Sequence, residues 1–178
     1  MTEAEIIQGC LDNNASAQSK LYDLYSRKMM AVCLRYTRSR HEAEDIFHEA
    51  FVKVFKNIST WKGGSFEGWM RRIFVNTAIN HYHQNKKYFD HVDSTHAESL
   101  LSTADSAIEE MSNQDLLEMV NGLPEGYKLI FNLYVVEGYN HNEIANMLQI
   151  AQGSSKSQLS KAKAHLRKLI NERLISAA

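Results

Sequence analysis

The chain has few residues that break a helix. Among 178 residues there is one proline, Pro124, and only eight glycines. Proline removes a backbone donor and glycine carries the largest entropy cost on ordering, so their scarcity favours helices. Cysteine is also scarce. Cys10 and Cys33 are too few and too far apart for a disulfide framework or a CxxC metal site, and both fall among apolar helical positions. Buried free thiols are the expectation. No stretch approaches the roughly 20 apolar residues that span a bilayer, so no membrane insertion is expected. Residues 1–5 carry acid where a secretory signal carries base, so a cytoplasmic protein is expected. There is no phosphate-binding glycine loop, no serine elbow and no recognisable pair of catalytic carboxylates. His81 and His83 are two apart on an expected helix and diverge, while His41 and His48 have no cluster of ligands beside them. No catalytic residue, metal or cofactor is therefore expected.

Apolar residues make up 44% of the chain and charged residues 23%, which suits a globular protein rather than a disordered one. The formal net charge of −1 argues nothing for a polyanionic partner, but its distribution does. Residues 1–90 hold 13 Lys and Arg against 10 Asp and Glu. Residues 91–125 hold none against eight, and residues 126–178 hold seven against three. A basic, acidic, basic order describes two candidate polyanion-binding modules joined by an acidic connector.

The periodicity predicts an all-α chain of two small helical domains. Residues 4–40 form one or two helices, with Leu21, Leu24, Tyr25, Met29, Val32, Cys33 and Tyr36 at three- and four-residue steps. Residues 42–58 form the clearest helix. Ile46, Ala50, Val54 and Ile58 make one apolar row, and Phe47, Phe51 and Phe55 the row beside it. Gly63 and Gly64 break the chain, and Ser65 is placed to cap a helix over 66–87. Residues 89–111 lose periodicity and read as a linker. Helices return over 113–121, 125–137, 141–148 and 152–174. The expected domains are 1–88 and 112–178.

Three constellations carry functional meaning. The sharpest is helix-turn-helix grammar: a short helix with Glu143, Ile144, Ala145 and Leu148, a turn, then a helix with a one-sided basic face. Between 152 and 173 lie Lys156, Lys161, Lys163, Arg167, Lys168 and Arg173, against Glu172 alone. Small polar residues early in that helix, Ser154 and Ser155 among them, permit close approach to a groove. Lys156 and Gln158 have the reach for phosphates or base edges. The candidate duplex-reading set is Gln152, Ser154, Ser155, Lys156, Gln158, Lys161 and Lys163. The second constellation is the stripe Arg72, Asn76, Asn80, His83 and Lys87 on helix 66–87, together with Arg71. Before it, Trp61, Lys62, Ser65 and Phe66 suit a stacking platform for an unpaired base, although the same aromatics equally suit a core. The third is Asp45, His48, Glu49 and Lys53, a mixed-charge face that is either plain surface or a docking face.

These residues resemble the sigma-70 family of RNA polymerase sigma factors, specifically its extracytoplasmic-function (ECF) group. HEAEDIFHEAF, from His41 to Phe51, is similar to the conserved-region 2 helix of that family. GSFEGWMRRI, from Gly64 to Ile73, and VNTAIN, from Val75 to Asn80, resemble the stretch that comes after that helix in the family. Gly138 through Lys163 looks like region 4, and GSSKSQLSKA, from Gly153 to Ala162, like the opening of its recognition helix. The resemblance implies that Asp45, His48, Glu49 and Lys53 bind core RNA polymerase. It implies that the loop 59–66 and the helix after it melt and read the −10 element, with a flipped base captured near Trp61. The last helix would read the −35 element as duplex promoter DNA. An anti-sigma factor is the implied regulator. Three departures stand out: His48 replaces a usual glutamine, Gln149 a frequent turn glycine, and Ser155 a common branched apolar residue.

The alternative is a stand-alone helix-turn-helix regulator that binds duplex without polymerase. It leaves the Trp61–Phe66 loop and the asparagine stripe unused. An adaptor of helical bundles with no DNA role leaves the one-sided basic helix unexplained.

Overall fold

The computed structural model describes residues 1–89 and 113–177, and these are helical with no strand among them. The expected linker, 89–111, lies outside the described residues apart from Phe89. The chain divides into two compact units, Met1–Lys87 and Tyr88–Ala178.

The first unit contains α1 (Glu3–Leu11), α2 (Ala15–Arg35), α3 (Arg40–Asn57), a 3-10 turn at Ile58–Thr60, and α4 (Phe66–Phe89). Side chains define the helix starts. Thr2 and Glu5 form a reciprocal capping box on α1, Asn14 caps α2 and Ser39 caps α3. Ser65 Oγ accepts from Gly68 N at 3.0 Å, the cap expected for α4. Gly63 (φ 99°) and Gly64 (φ 79°) take the left-handed conformations that the break before it needs. Gly9 serves differently: a Cβ there would lie 2.6 Å from Ala17 Cβ, so its hydrogen lets α1 and α2 touch.

The core of this unit is aromatic. Phe74 of α4 is fully buried and meets Phe47 and Phe51 of α3 edge-on, with centroids 5.9 and 5.2 Å away. Ile46, Ala50, Val54 and Ile58 are all buried beside them, so the first row expected on α3 is a core row. Leu24 departs from expectation. It lies about 100° round the helix from Tyr25 and is 51% exposed. Cys10 and Cys33 are free and buried, and burial pushes the Cys33 thiol up to about 12. Burial, then the hydrogen bond to Glu3, likewise raises the Tyr25 phenol.

The second unit contains α5 (Asn113–Asn121), α6 (Glu125–Phe131), a π-helical turn at Asn132–Val136, α7 (His141–Leu148) and α8 (Gln152–Ala177). The single helix expected over 125–137 is thus an α segment followed by a wider turn. α8 packs against α6 and α7, with Leu159 and Ala162 buried along it, and against α5 through Met119 and Ile170. The turn between α7 and α8 passes through Gln149 at φ 55°, ψ 46°. A side chain in that region costs about 1 kcal/mol that glycine avoids. Gln149→Gly is therefore expected to stabilise the second unit by about 1 kcal/mol in thermal unfolding. An unchanged or lower melting temperature would show that the Gln149 side chain offsets its backbone cost.

Candidate nucleic-acid interface

α7 and α8 are built to present one side of α8. Asn140 Oδ1 accepts from Asn142 N at 2.9 Å and Glu143 N at 3.0 Å, while Glu143 Oε2 accepts from Asn140 N at 2.7 Å. This capping box satisfies donors at the start of α7. Ile144, Ala145 and Leu148 turn inward. On α8, Ser155, Leu159 and Ala162 are buried at helical spacing. Lys156, Ser157, Ser160, Lys161 and Lys163 are exposed, as are Gln152 and Ser154. Gly153 has open space where a Cβ would stand.

Two residues of the duplex-reading set are placed otherwise than expected. Ser155 is 0% exposed and hydrogen-bonds His141, so it holds α8 to α7 rather than facing a groove. Gln158 is half-buried, and its Oε1 lies 3.3 Å from where a Cβ on Gly126 of α6 would be. It packs back against the bundle. Ser157 and Ser160, outside that set, share the exposed side with Lys156 and Lys161. The signal was the spacing: they sit one and four residues after Lys156, off the row 155, 159, 162.

On α4 the stripe is real as geometry. Arg72, Asn76 and Asn80 are exposed on the side away from Met70, Phe74 and Ala78, while Arg71 and His83 are half-buried. The Lys87 side chain lies outside what is described. Of the loop before α4, Lys62 and Ser65 are exposed. Phe66 is 3% exposed, packed on Tyr25 (6.0 Å) and Trp69 (5.3 Å). It is a core residue, not a surface for a base, because it opens the buried row that continues at Met70 and Phe74. Trp61 is half-buried and stands edge-on to Phe66 at 5.4 Å and 89°. Its indole Nε1 is buried and meets no hydrogen-bond acceptor among the described residues.

On α3, Asp45, His48 and Glu49 are exposed and Lys53 is half-buried. Asp45 pairs with His41 at 3.2 Å and Glu49 with Lys53 at 2.6 Å. Lys53 Nζ also donates to Thr77 Oγ1 of α4 at 3.3 Å. The charges are thus partly satisfied within the unit. Val52, 51% exposed, shares this side of α3 and gives it an apolar member the charge pattern did not reveal. Tyr22 of α2, 37% exposed, packs on Phe47 and Phe51.

A supported recognition helix in one helical unit, and a polar stripe beside an aromatic loop in another, define a two-module helical DNA-binding protein. Comparison with known proteins makes this specific. Residues 21–88 match the Sigma-70 region 2 family and residues 113–166 the Sigma-70 region 4 family. The chain belongs to the sigma-70 family of RNA polymerase sigma factors, in its extracytoplasmic-function group. RNA polymerase sigma-H factor of Pseudomonas aeruginosa is 24% identical over 165 residues, 86% of each chain. ECF RNA polymerase sigma factor SigW of Bacillus subtilis is 28% identical over 169 residues, 88% of this chain and 90% of that one. Among solved structures, the sigma factor RpoE of Bartonella quintana, in complex with the anti-sigma factor NepR, has a similar fold. Its TM-score is 0.52 at 17% identity, over 86% of this chain and 96% of that one. The family function is that of an ECF RNA polymerase sigma factor, a regulatory protein of transcription initiation. The stand-alone regulator is not favoured, because the first unit carries the region 2 match.

Proposed function

We propose that α8 reads the −35 element as duplex while the loop around Trp61 and the exposed side of α4 hold the melted −10 strand. The observation that carries this reading is the sidedness of α8. Its buried row is seated on α6 and α7, so Lys156, Ser157, Ser160 and Lys161 project together as a groove-sized edge of small and cationic side chains. Lys62, Arg72, Asn76 and Asn80 supply cations and amide donors, and Trp61 a ring, for single-stranded DNA. Asp45, His48, Glu49, Lys53 and Val52 dock core RNA polymerase. The functional domains are 1–88 and 112–178, with 89–111 as the acidic connector. Tethering makes two weak modules bind as one when both elements are correctly spaced.

The protein acts by placement and has no catalysis of its own. It works in the cytoplasm with the polymerase, and no described helix is long and apolar enough to cross a membrane. An anti-sigma factor is its proposed regulator, a reading supported by the complex of Bartonella RpoE with NepR.

Lys156→Ala is expected to weaken binding to a duplex −35 fragment several-fold and to lower the salt slope of log K by about 1, the signature of one lost phosphate contact. Titrations at several salt concentrations measure both. Unchanged affinity and slope would remove Lys156 from the interface.

A further inference from the structure

We infer that His141 is a positioning residue for −35 recognition: it locks the recognition helix in register through a hydrogen bond to buried Ser155. The inference rests on the proposed reading of α8 and deepens it.

Three elements meet at this imidazole. Its backbone opens α7 directly after the Asn140 cap, so its Cα is held by the capping box. Its ring stacks on Tyr134 of the π-helical turn, with centroids 4.6 Å apart and planes at 24°. Its Nδ1 lies 2.9 Å from Ser155 Oγ in the first turns of α8. Ser155 is 0% exposed, and it is flanked in sequence by exposed Ser154 and Lys156. A buried hydroxyl needs a partner, and this one finds it across the helix-turn-helix rather than within its own helix.

Helix starts fray, because their first N–H groups lack intrahelical partners. Lys156, Ser157, Ser160 and Lys161 follow directly on that first turn, so the way it is held sets where they point. An apolar contact at position 155 would hold α8 against α7 but tolerate rotation about its axis. A directional bond to a ring that is itself clamped by Tyr134 does not tolerate it. The pair therefore fixes which side chains face the duplex.

The test compares Ser155→Thr with Ser155→Val in the full chain. The two replacements have nearly the same volume and differ in the hydroxyl. Affinity for a duplex −35 fragment is measured by fluorescence anisotropy, with circular dichroism confirming equal helix content. Val is expected to bind about tenfold more weakly than Thr, the effect of one lost buried hydrogen bond. That difference is expected to vanish in a His141→Ala background. The imidazole nitrogen resonances of His141 are expected to shift in Val and to stay in Thr. Should Ser155→Val unfold the second unit, half-buried His141 offers the same contrast, with Gln expected to bind more tightly than Leu. Equal affinity of Thr and Val, or a difference that survives His141→Ala, would overturn the inference while leaving the −35 assignment intact. If Lys156→Ala is also silent and the unsubstituted chain does not bind duplex, the −35 reading itself fails, and this inference with it.

Discussion

Phe74→Ala is expected to destabilise the first unit by about 3–5 kcal/mol, the usual cost of emptying a large aromatic site in a core. Phe74 is fully buried and edge-on to both Phe47 and Phe51, so its removal takes away both of these ring contacts between α3 and α4. A domain of this size has only about 5–15 kcal/mol in total. Its melting temperature is expected to fall by at least about 12 °C, at about 4–8 °C per kcal/mol. Phe55→Ala is the control. Phe55 is half-buried and meets Phe51 at 6.0 Å, so its loss costs less. The functional consequence is indirect. Arg72 and Asn76 flank Phe74 on the exposed side of α4, and loosening that helix blurs their positions. Thermal unfolding followed by circular dichroism separates the outcomes: a shift no larger than that of Phe55→Ala would place the weight of the core elsewhere.

Trp61→Ala is expected to leave duplex −35 binding unchanged and to impair promoter opening. Stacking one base on an aromatic ring contributes about 1–3 kcal/mol, or about five- to 150-fold in open-complex occupancy. The present seat of the ring supports the prediction. It leans edge-on against Phe66, and its indole N–H is buried with no partner among the described residues. Turning the ring to meet a base gives the donor access to water or to the nucleotide, so the movement is not opposed by a lost hydrogen bond. Trp61→Phe keeps a stacking face and is expected to retain most of the opening. Permanganate reactivity of −10 thymines reports opening directly. Normal opening by Trp61→Ala would make Trp61 a packing residue, as Phe66 is.

Most of the fold was legible because its signals are local. The rows of α3, the cap at Ser65, the left-handed glycines before α4 and the helix-turn-helix all arise from spacing and turn chemistry. The helix over 125–137 was harder. Its second half widens into a π-helical turn at Asn132–Val136, a change of hydrogen-bond register that apolar spacing does not encode. The site was legible as segments and less so as side chains. Phe66 lies on the same row as Met70 and Phe74, four and eight residues on, and that row outweighs its place beside a loop. Ser155 shares a row with Leu159 and Ala162, but a hydroxyl reads as exposed until its partner is known. His141, fourteen residues earlier, is that partner, and nothing in the spacing joins them. Val52 was not singled out because a search for charge passes over an exposed apolar residue among charges, although docking faces use both.

As an ECF sigma factor, this chain directs polymerase to promoters. Run-off transcription with purified core polymerase and a pool of promoter fragments, with and without the protein, tests it most directly. Promoter-specific transcripts are expected only with the protein present, fewer with Lys156→Ala, and fewer still with Trp61→Ala. Tight duplex binding with no transcripts and no association with core polymerase would contradict it.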